Sequence, residues 1–197
     1  MRVRKTVLAR LNKCYAIARL DYQGNPHFLV ASEKSDPCCL FDQDGMLKDV
    51  LWTGPGGVMT MVQVPGTDGQ LLSTAKFYSP DDSLDAELVI VTPEGNNRWD
   101  IRCLTPLPHV HRFDILTRNG VNWLVACTVK SGQDRPEGDW SYPGKVYAAV
   151  LPGRSRRQVS HKDNNSVKGL QQIDAAAPSA VETIMTSRSA PAIEFYR

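Results

Sequence analysis

Three stretches of this chain align without gaps: HFLVASEK at 27–34, GQLLSTAK at 69–76 and WLVACTVK at 123–130. Each is a short, β-prone apolar run ending in a lysine, so Lys34, Lys76 and Lys130 fall at one position. Self-similarity at a period of roughly 40 to 50 residues restricts the fold severely. Each copy must be a small module that cannot bury its apolar surface alone and stacks on the next.

The match extends in both directions. Upstream of each run lies a turn, at Gln23-Gly24-Asn25, Asp68-Gly69 and Asn119-Gly120. Asx-Gly pairs supply the positive φ that tight hairpins need. Before each turn stands another strand, ARLDY (18–22), TMVQV (60–64) and HRFDI (111–115). Downstream come CCLFD (38–42), ELVIV (87–91) and KVYAAVL (145–151), each followed by a glycine turn. The first two copies then add a tryptophan strand, MLKDVLWT (46–53) and RWDIRCL (98–104). The unit is a four-stranded meander. The expected fold is all-β, a partial β-propeller of about three four-stranded antiparallel blades with an irregular C-terminal tail.

Three regions follow. Residues 1–14 form an N-terminal extension or a strand of a preceding blade, and 15–152 carry the repeats. Residues 153–197, rich in Ser, Arg, Asn, Ala and Pro, show no strand alternation and read as a disordered or poorly packed tail. On this reading the third unit lacks its fourth strand, and the chain is a truncated or frame-shifted piece of a longer propeller. Further blades or self-association would then be needed to cover the open sheet faces.

The quoted strands ARLDYQGNPHFLVA and HRFDILTRNGVNWLVA resemble the FG-GAP/VCBS propeller repeats over residues 15–152. The resemblance implies a ring of about seven blades in complete members. Calcium-binding members carry several turn aspartates, whereas Asp68 is the single carboxylate in these turns, so the resemblance does not imply calcium here.

Composition narrows function by exclusion. A formal charge of +2 and the lack of a basic stripe interleaved with aromatic residues argue against nucleic acid as a partner. No apolar run reaches membrane-spanning length, and Arg10, Asn12, Lys13 and Arg19 interrupt any signal-peptide core. Five cysteines, an odd number with Cys38 and Cys39 adjacent and no C-x-x-C spacing, point to a cytoplasmic protein with mostly buried, reduced thiols.

Candidate chemistry lies where the copies disagree. His109 and His111 in PHVHRFD stand two apart, which in a regular strand puts both on one face, where they could share a divalent metal. Two histidines satisfied within the sheet would read the same way. The spacer between second and third strands grows from SDP (35–37) to FYSPDDSLDA (77–86) to SGQDRPEGDWSYPG (131–144). Insertions at one repeat position project from one face, the expected binding face. There Asp139 and Trp140, with Lys130 at the strand end, compose a patch suited to a sugar or other small polar ligand: a flat apolar ring for stacking, a carboxylate for hydroxyls. Whether the protein is an enzyme stays open. A sugar-modifying lyase, dehydratase or hydrolase is suggested by fold analogy alone, and a protein-interaction scaffold is the competing expectation.

Overall fold

A computed structural model describes residues 4–35, 37–132, 136–151 and 171–173. All regular structure among them is β. Blade one comprises β1 (Cys14–Tyr22), β2 (Asn25–Ser32), β3 (Cys38–Asp42) and β4 (Leu47–Trp52). Blade two comprises β5 (Met61–Gln63), β6 (Leu71–Ala75), β7 (Glu87–Gly95) and β8 (Arg98–Pro106). Blade three comprises β9 (Val110–Arg118), β10 (Val121–Thr128), β11 (Val146–Val150) and β12 (Gln171–Ile173). Every blade is an antiparallel meander paired in chain order, and no ladder joins one sheet to another. The array is therefore three propeller-like blades in an open arc. No described helix is long and apolar enough to cross a membrane.

Stacking explains the sequence of the middle blade. All five residues of β6 are buried. Leu71 and Ala75 pack into one core with Leu20, Leu29 and Leu40 of blade one. Leu72 packs the opposite way, into a second core with Phe113 and Leu124 of blade three. A strand covered on both faces has no wet side to mark, so LLSTA reads as a continuous apolar and small-residue run. Each fully buried leucine contributes on the order of 1.5–3 kcal/mol.

At the centre of the seam between blades one and two the contacts are backbone to backbone, with side-chain bonds such as Gln63 to the Asp21 backbone and Trp99 to Asp49 farther out. Gly57 N–H donates to the carbonyls of Glu33 and Lys34, while the amides of Lys76 and Phe77 donate to Gly56 and Gly57. A Cβ on Gly56 would lie 1.1 Å from the Lys34 carbonyl oxygen. The GPGGV segment at 54–58 is a clamp that only glycine can make.

Two expectations need correction. The third blade does have a fourth strand: the tail returns as β12, pairing Tyr147 with Gln172. An edge strand of three residues needs only backbone groups, so it left no alternation to read. The rest of the tail lies outside the described residues. Second, thiols are not mostly buried: Cys38 and Cys39 are, but Cys14, Cys103 and Cys127 are exposed. The three repeat lysines are each partnered. Lys34 Nζ donates to the Tyr78 carbonyl at 2.5 Å, Lys76 pairs with Glu87 at 2.9 Å, and Lys130 pairs with Asp81 at 2.5 Å. Lys34 and Lys130 thus grip the blade-two loop 77–86 from either side.

Candidate functional site

The long loops of blades two and three meet at one seam. Lys130 closes β10 and is buried, with its side chain 4% exposed against 32% for Asp81. Its ammonium therefore has no bulk water to lean on and depends on that carboxylate. Asp81 Oδ1 also accepts the Gly138 N–H at 3.2 Å. The Lys130 ammonium beside it, and next the Gly138 amide, hold the Asp81 carboxyl below the usual carboxylate range.

This ion pair fixes the loop above it. Lys130 Nζ lies 5.7 Å from the Trp140 ring centroid, a cation–π contact. A backbone bridge joins Lys130 to Pro143, Ser131 N–H donates to the Tyr142 carbonyl at 3.2 Å, and Asp139 accepts from Ser141 N–H at 2.9 Å. Trp140 and Tyr142 nevertheless remain 57% and 40% exposed. The sequence-predicted residues Lys130, Asp139 and Trp140 are thus brought together. Their roles divide: Lys130 supports from below, while Trp140 presents its ring outward.

The two histidines are not brought to one site. His109 precedes β9 in a turn with φ of 63°, and the β9–β10 register slips so that Arg112 opposes Cys127 and Val110 opposes Thr128, leaving His111 as the bulge residue. A positive-φ turn and a bulge break the period-two rule that placed the pair on one face. His109 is buried, 6% exposed. Its Nε2–H donates to the Gly132 carbonyl at 3.1 Å, and its Nδ1 is 2.8 Å from Ser83 Oγ. The Ser83 hydroxyl also donates to the Pro80 carbonyl at 3.1 Å, within the same loop. Both nitrogens are committed, so His109 ties the two loops together and does not offer a metal ligand.

His111 instead packs edge-on against Phe77, centroids 5.0 Å apart, with Tyr15 at 6.4 Å. Burial first, then the neighbouring Arg112 charge, push its pKa below the ordinary 6.5. Arg112 donates to the Met59 carbonyl at 2.8 Å and to Tyr15 Oη at 3.2 Å, so it ties β9 to β1 and to the segment leading into β5. Arg19, its sequence counterpart, only pairs with Asp21 on its own exposed strand. Among the described residues, no three His, Cys, Asp or Glu side chains gather as a metal site.

Asp81 and Ser83 are the members of this seam that sequence reasoning missed. Their signal was present in the lengthened loop 77–86, but nothing local says that this loop meets the one at 131–144.

No family model matches the chain. It is similar to a protein from Chlamydia muridarum (strain MoPn / Nigg), described as the metal-binding protein YtgA, at 23% identity over 101 residues. The match covers 51% of this chain and 30% of that relative.

Proposed function

We propose that the protein is a ligand-binding module for a carbohydrate or similar small polar molecule, recognised at the 131–144 loop. One observation carries this reading: an exposed tryptophan stands over the buried Lys130, whose ammonium pairs with Asp81. Leaving an aromatic ring of that size in water forgoes burial, and fixing it removes the entropy that a flexible side chain would lose on binding. Trp140 would stack on a pyranose, with Tyr142 beside it and the Asp139 carboxylate within the same turn of chain for hydroxyl groups. The copies that resemble FG-GAP/VCBS repeats support placing such a module in a propeller. A metal-binding role, suggested by the name of the Chlamydia relative, would need ligands that the described residues do not gather.

The test is tryptophan fluorescence against a panel of neutral and acidic hexoses and their oligosaccharides. A binding sugar should shield Trp140 from acrylamide, and Trp140→Ala should weaken binding at least about tenfold while leaving stability within about 0.5 kcal/mol. A panel in which no sugar protects the indole overturns the reading. The open faces of the end blades favour a second reading, a scaffold segment with no small ligand, which that negative result would support.

A further inference from the structure

Two sheet faces have no partner sheet among the described residues. On blade one, Ala16, Leu20 and Leu29 face blade two, so strand alternation turns Ile17, Phe28 and Val30 outward. The ladder joins Ile17, Val30, Cys39 and Val50 into one cross-strand row, and Arg19, Phe28, Phe41 and Leu47 into the next. Phe28 stacks on Phe41 at 5.2 Å; Cys39 and Phe41 of β3 are already buried within the chain, and the open part of the face lies at Ile17 and Leu47, 71% and 56% exposed. A shallow hollow opens on this face, bordered by Ile17, Arg19, Pro26 and Phe28.

On blade three, Leu124 and Ala126 face blade two, so Trp123 and Val125 alternate outward. Trp123 lies in register between Leu116 and Val150, and Val125 between Asp114 and Ala148. Val150 and Val146 are 45% and 38% exposed. Blade one therefore ends in a hollow among apolar side chains, and blade three in an apolar ridge with an indole at its centre.

We infer that a second copy of this chain covers both faces, with blade three of each copy seated on blade one of the other. Blade two shows what a blade in this array requires, since its β6 is buried on both sides by apolar neighbours. The inferred contact continues that stacking in the order already present, each blade meeting the next through a different face. Two copies related by a twofold axis make this contact twice and close a ring of six blades, within the four to eight of closed propellers. Like faces meeting like would end the arc and leave two faces bare. The inference does not depend on the Trp140 loop.

Size-exclusion chromatography with light scattering on the full chain tests it, from about 5 to about 100 µM. The expected mass is twice 21.8 kDa. Ile17→Glu and Val150→Glu change exposed side chains, so each variant should keep the parent circular dichroism and melting temperature and run as a monomer. An equimolar mixture of the two should recover a dimer at the upper concentrations, because one contact pairs two unaltered faces. A parent chain that stays monomeric at the highest concentration overturns the inference. So does a dimer lost in only one variant, which means like faces meet, or a mixture that never associates.

Discussion

The two blade seams do the same job with different materials. Between blades one and two, the linker enters through Gly56 and Gly57, which are held by backbone carbonyls and amides. Between blades two and three, the linker enters through His109, which takes the same positive φ as Gly57, at 63° against 74°. A fully buried valine follows each, Val58 and Val110. The glycine seam closes so tightly at Gly56 and Gly57 that neither position leaves room for a side chain. The histidine seam accepts the αL cost and recovers it through bonds to Ser83 and Gly132. The Lys130–Asp81 pair lies at the histidine seam, below the loop that exposes Trp140 and Tyr142.

Breaking the backbone seam should have the largest effect. Gly56→Ala forces a methyl group into the Lys34 carbonyl, so blades one and two must part locally. A loss of at least about 3 kcal/mol in urea unfolding is expected. Gly24→Ala is the control, because it has nothing within 4 Å and only a positive φ of 71° to oppose it. It should lose about 1 kcal/mol.

Next comes the histidine seam. His109→Ala loses both side-chain bonds and keeps the unfavourable φ, for about 2–3 kcal/mol. His109→Gly loses the same bonds but relaxes the backbone, and should be about 1 kcal/mol less damaging in the same denaturation experiment. Equal losses would show that the αL strain is not real.

Removing the support under the loop should act locally. Lys130→Met leaves Asp81 partly exposed, able to regain water, so global stability should fall less than in Gly56→Ala. Trp140 should become more accessible to acrylamide than in the parent, with no change at the blade-one seam by hydrogen exchange.

The smallest effect is acid loosening of the second seam. Native His111 is held below 6.5, so the native state favours the neutral ring. Its contribution is complete above the unfolded value and fades as pH falls through the lower native one. Asp81 is likewise depressed, so its contribution is complete above about pH 4 and fades as pH falls through the lowered native value. Hydrogen-exchange protection, corrected for the intrinsic rate at each pH, should fall on acidification first at Val129, which bonds to the His109 carbonyl, and then at Gly138, which bonds to Asp81. Exchange at Lys76 in the glycine seam should not follow.

How much was legible varied with how local the cause was. CCLFD was readable to the residue as β3, because two apolar faces and flanking turns leave a clear mark in so short a strand. The Asx-Gly hairpins were readable because positive φ restricts residue type. β12 was not, since Gln171–Ile173 forms through backbone pairing with β11 and needs no apolar pattern. Trp140 and Asp139 stood out through composition. The histidine pair misled, since the period-two rule assumes a regular strand and the bulge at His111 arises from pairing with β10.

The sequence by itself determined a repeated four-stranded β unit, its hairpin turns and the place where the copies diverge, because those follow from side-chain period and local φ. Only the tertiary structure decided that the loops at 77–86 and 131–144 share one seam. It also decided that Lys130 is buried against Asp81, and that His109 fastens rather than binds. Each of these depends on which blade stacks on which, and stacking is set by the summed burial of whole sheet faces, which no single segment encodes.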